Sequence, residues 1–135
     1  MPRIVIAIGA ILAACGAAAG QPCGEEWPDA AAVETSGYTL KFRTRPAKIR
    51  IGQHFAIEML VCPREGAALP RTVGVDAFMP EHRHGMNYRP VVKALGPGRF
   101  QADGLMLHMP GRWEFRFDVE RQGRTERLTR DVVLK

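Results

Sequence analysis

Residues 112–120, RWEFRFDVE, alternate without a break. Trp113, Phe115, Phe117 and Val119 are apolar, and Glu114, Arg116 and Asp118 between them are charged. A two-residue period sends the four large side chains to one face of a strand and the charges to the other. No segment after residue 20 shows a sustained helical period instead. The chain must therefore bury sheet faces, and a sheet with one apolar face needs a second sheet to cover it.

The remaining runs read the same way. YTLKFRTR (38–45) alternates, with Tyr38, Leu40 and Phe42 facing one side. HFAIEMLVC (54–62) places Phe55, Ile57, Met59 and Val61 together. Further strand-like runs are AKIRI (47–51), RTVGVDAFM (71–79), YRPVVKAL (88–95), RFQADGLML (99–107) and RTERLTRDVVL (124–134), separated by Gly- and Pro-containing turns such as GPG. They predict an all-β fold, an immunoglobulin-like antiparallel β-sandwich of seven or eight strands over residues 38–135. Residues 20–37 are expected to be irregular, with at most one short turn in EEWPDAAAVE, because Pro28 limits it.

The first nineteen residues stand apart. Arg3 precedes an apolar run from Ile4 to Leu12, and small residues follow. This is the layout of an export signal, and the run is too short to span a bilayer. LAAC, Leu12 to Cys15, has the form of a lipobox, which would leave a lipidated Cys15 and a membrane anchor. AAA before Gly20 suits ordinary signal peptidase, and both routes stay open. Either places the mature domain in the periplasm. Losing residues 1–19 removes one basic residue, so the formal charge falls from +5 to +4. The basic residues of ERQGRTERLTR alternate with Glu and Thr, which describes a solvated strand face and not a nucleic-acid surface.

Export bears on the cysteines. Once Cys15 is lipidated or cut away, Cys23 and Cys62 remain. In an oxidising compartment they are expected to pair, stabilising the fold by about 4 kcal/mol in the chain-entropy account. The alternative reading makes them soft-metal ligands.

Two stretches carry donors. In MPEHRHGM (79–86), His82, His84 and Met86 leave the same side of an extended segment, with Met79 just ahead. In LMLHMPG (105–111), Met106 and His108 have opposite parity to the core-facing Leu105 and Leu107, and Met109 follows. Together these hold three of four histidines and four of six methionines. Thioether sulfur is neutral and polarizable, so it suits Cu(I), while imidazole serves both Cu(I) and Cu(II). A His/Met set holds copper, Cu(I) preferred, without a thiolate that could oxidise. Zinc would leave the thioethers unused, and calcium would need clustered acids. Met79 and Met109 also suit core packing, Met109 beneath a ring such as Trp113. His54, far along the chain from both stretches, reads as a surface or structural residue.

DAFMPEHRHGM with GPGRFQADGLMLHMPGRWEFRFDV resembles the YtkA-like/FixH-like family of small exported domains, over roughly residues 38–134. The shared pattern is Met79-Pro80, a His-rich loop ending His84-Gly85-Met86, then Gly98-Arg99-Phe100, and Met109-Pro110-Gly111 with Trp113-Glu114. The resemblance implies an immunoglobulin-like sandwich and extracytoplasmic copper handling. It implies His82, His84 and Met86 as ligands, with Met79 a further one. It also implies a copper-accepting protein or an oxidase assembly factor as partner. His108 departs from the pattern, where an apolar or small residue is expected before the Met-Pro-Gly turn.

The expected function is thus a periplasmic copper carrier or metallochaperone. The alternative is a metal-free sandwich module docking on an envelope or membrane complex. Catalysis is not expected. His82-x-His84 has no following carboxylate of the kind an oxygenase uses, Glu81 points the other way, and no nucleophile elbow or phosphate loop is present.

Overall fold

A computed structural model describes residues 22–135. The segment expected to be an export signal, and Cys15 with its two expected processing routes, lie outside the described residues. After a 3-10 turn at Pro22–Gly24 come nine strands: β1 Ala31–Glu34, β2 Tyr38–Arg45, β3 His54–Pro63, β4 Val73–Met79, β5 His84–Gly85, β6 Val91–Gly96, β7 Arg99–Met106, β8 Gly111–Arg121 and β9 Arg124–Leu134. They form a five-stranded sheet, β1-β2-β3-β7-β6, and a four-stranded sheet, β5-β4-β8-β9. Every pairing is antiparallel. The fold is the β-sandwich that the alternation predicts.

Its core is the sum of the alternating faces. Tyr38, Leu40 and Phe42 of β2, Ile57, Met59 and Val61 of β3, and Trp113, Phe115, Phe117 and Val119 of β8 are all buried. Phe42 meets Phe117 at 4.9 Å between ring centroids and Phe115 at 6.0 Å, edge on. A buried side chain of this kind contributes about 1.5–3 kcal/mol. The Tyr38 hydroxyl, a polar tip at this core, donates to the Ala68 carbonyl at 3.0 Å.

Three local readings are corrected. AKIRI is not a strand: β2 and β3 pair with each other from Arg45↔Ala56 onward, so residues 46–53 are the loop of their hairpin. The N-terminal segment is not wholly irregular. Ala31–Glu34 pairs with β2, Ala31 opposite Phe42 and Val33 opposite Leu40, and Ala31 and Val33 pack on the core. The alanines, weak β-formers, hid this strand. Finally, β5 adds a two-residue strand inside the histidine-rich stretch.

Cys23 and Cys62 are disulfide-bonded, with Cα atoms 5.4 Å apart. This fastens the N-terminal segment to the outer face of the five-stranded sheet. The Arg43 guanidinium lies 4.3 Å over the Trp27 ring, Lys41 donates to the Glu25 carbonyl at 3.1 Å, and Glu25 pairs with Arg99.

The strands also define two ends. Along β3, His54 sits opposite Met106, whereas Leu60 sits opposite Arg99 and Cys62 opposite Thr39. Met79, Met106 and Gly111 mark one end, and the disulfide and the Arg121–Arg124 turn mark the other.

Candidate metal site at one end of the sandwich

Two passages between the sheets cross at the Met79 end. One runs from β4 through β5 to β6, the other from β7 to β8. The two donor-rich stretches of the sequence are these passages.

The first is a tight hairpin. Met79 pairs with His84 and Phe78 with Gly85, so residues 80–83 turn the chain in four positions. Arg83 closes the turn at φ 54°, in the left-handed region that non-glycine residues rarely adopt. His82, His84 and Met86 therefore do not line one side of an extended segment. His82 is in the turn and exposed, while His84 and Met86 are half-buried. Arg112 holds the turn by bridging Glu81 and Asp131, each at 3.2 Å.

The second passage leaves β7 at Met106, buries Leu107, and returns through Pro110 and Gly111. Gly111 has φ 121°, and a Cβ there would stand 2.7 Å from the Met79 Cε, so only glycine fits without displacing Met79. Trp113, 0% exposed, donates its Nε1–H to the Met109 carbonyl at 3.0 Å. This bond fixes where His108 sits.

The result is a row of three imidazoles. His82 and His84 stack with centroids 5.8 Å apart, and His84 and His108 stack at 5.2 Å. Trp113 meets both His84 and His108 edge on, at 5.9 Å and 5.4 Å, and forms the inner wall. The His84 Nδ1 lies 3.1 Å from the Gly85 carbonyl. When that nitrogen carries the proton and donates, Nε2 is left with a free lone pair. The His108 Nδ1 is buried with no hydrogen-bond partner. Such an atom needs an explanation, because an unpaired buried polar group costs about 1–3 kcal/mol.

Of the sequence-proposed donors, the structure brings His82, His84 and His108 together. Met86 and Met109 are half-buried and pack against the core beside them. Met79 is 1% exposed, within the core. Met106 pairs with His54 across β3 and β7. Among the described residues, no three His, Cys, Asp or Glu side chains are grouped so as to hold a metal ion. The disulfide excludes Cys23 and Cys62 as soft-metal ligands.

Two features escaped the sequence reading. Trp113 was legible as core but not as the wall of the row. His54, remote in sequence, lies at this same end, with its ring 5.2 Å from that of Tyr88.

The chain matches no protein-family model and no curated protein. Among solved structures it is similar to a DUF4426 family protein from Pseudomonas aeruginosa, with a TM-score of 0.50 and 9% identity, covering 82% of this chain and 99% of that one. At that identity the likeness is one of fold, and it places the chain among small β-sandwiches of the same build.

Proposed function

We propose that this chain is a copper-binding protein of the periplasm, a carrier or metallochaperone, and not an enzyme. The observation that carries the reading is the orphaned, buried Nδ1 of His108, in a ring stacked 5.2 Å from that of His84. A bound ion would satisfy that nitrogen. The nearby thioether of Met86 favours copper(I) over zinc. His82 extends the row to the surface, where an ion can be exchanged, and Met79 packs beneath. Copper is cargo in this reading, and an accepting protein is the partner. The export signal supplies the compartment, whether or not Cys15 is lipidated. The resemblance to the YtkA-like/FixH-like family points the same way.

The test is a Cu(I) titration under reducing conditions against a competing chelator. The parent is expected to bind, and the His84→Ala/His108→Ala double variant to lose at least tenfold in affinity. Undiminished binding by that variant would refute the assignment.

A second reading has its own support. Val91 and Leu95, on the edge strand β6, are 61% and 60% exposed. That edge suits a metal-free module docking on an envelope complex. The melting temperature separates the two readings. A ligand that binds only the native state raises it, so an unchanged value in saturating Cu(I) favours docking.

A further inference from the structure

His54 and Met106 are direct partners across β3 and β7. Directly opposed residues of an antiparallel pair project to the same face, with Cβ atoms about 5 Å apart. Their neighbours Phe55 and Leu105, also partners, are buried in the core. The side chains of His54 and Met106 therefore stand side by side on the outer face of the five-stranded sheet, an imidazole next to a thioether. Tyr88, in the loop that follows Met86, covers His54. Its ring meets His54 edge on, at 5.2 Å and 71°, although 48% of its surface is exposed to water. A large aromatic side chain is thus held over a polar ring and not in the core.

We propose that His54 and Met106 form a second soft-metal site, separate from the imidazole row, which takes one copper(I) ion under the Tyr88 ring. The proposal rests on the copper reading of the first site for its choice of ion. The donor chemistry is the same: neutral sulfur and imidazole suit copper(I), which accepts two donors in line, and exclude hard cations. Donors on adjacent strands of a paired sheet are already positioned, so little ordering opposes binding. With only two donors and an open face, this site is the weaker of the two and fills second. The outer face of the sheet then carries an ion in easy reach of a partner, while the row beside Trp113 retains its own.

Stoichiometry tests this, using anaerobic Cu(I) titration of the mature, disulfide-bonded chain against chelators of graded strength. The parent is expected to bind two equivalents. His54→Ala and Met106→Leu should each bind one, at the parent's tighter affinity. The His84→Ala/His108→Ala variant should keep the weaker one. His54 is exposed, so its removal leaves the fold intact, and an unchanged melting temperature verifies this. Two equivalents retained by His54→Ala overturn the proposal. So does a single equivalent in the parent, whether lost with His54 or indifferent to it. In the indifferent case the copper reading of the row survives alone. No binding by the parent at all removes both.

Discussion

Met79 shows how one residue type can hide its role. A thioether at the end of an apolar run serves a core and a copper ion equally well, so the sequence left both roles open. Position decides: Met79 is 1% exposed and its Cε lies where a Cβ on Gly111 would stand. Met79→Leu, nearly volume-conserving, should cost under about 1.5 kcal/mol and leave Cu(I) affinity unchanged. Met79→Ala should cost about 2–5 kcal/mol in denaturant unfolding. Gly111→Ala meets both a φ of 121° and that methyl group, and should lower stability by about 1–3 kcal/mol. Trp113 offers a direct reporter. It touches His84 and His108, whereas Trp27 lies on the outer face of the five-stranded sheet against Arg43. In a Trp27→Phe variant, copper should quench the remaining fluorescence. An emission unaltered at saturation would place the ion elsewhere.

Elements with strong alternation were readable to their ends. β8 and β2 follow their patterns to within a residue, because burial on one face imposes the period. The run 47–51 has β-branched residues but no partner, since its flanking strands pair with each other. β1 was missed because alanines carry little strand signal. The β4–β5 hairpin was beyond reach for another reason: Arg83 takes a backbone conformation that its side chain does not announce. At the opposite end, one carboxylate ties elements together. Glu126 of β9 accepts from the Thr35 hydroxyl at 2.6 Å, the Gly37 amide at 3.2 Å and Arg121 at 3.0 Å, joining the β1–β2 turn to the other sheet. The Thr35 hydrogen bond first, then that of Arg121, hold its carboxyl below the ordinary 4.5. A depressed native pKa contributes stability that is fully present above the unfolded value and is lost as pH falls through the native one. Glu126→Gln should therefore melt below the parent at pH 7, and the gap should close on acidification below about 4.5. A gap that does not change with pH would assign the effect to shape and not to charge.

Across the whole molecule, the histidines and the fastening groups are kept apart. All four histidines lie at one end, although one of them is distant from the rest in sequence. Order along the chain says little about position in a sandwich whose strands run back and forth, which is why His54 was set aside and the meeting of His84 with His108 could not be foreseen. The disulfide sits at the far end of the same strand. Replacing both Cys23 and Cys62 by Ser should lower stability by about 2–4 kcal/mol and leave Cu(I) affinity as it was, read by thermal melting and chelator competition. The strand between them works as a spacer. From His54 to Cys62, at about 3.3 Å per residue, it holds His54 roughly 26 Å from the clasp. A lesion at the clasp is therefore separated from the His54 ring by the full length of β3.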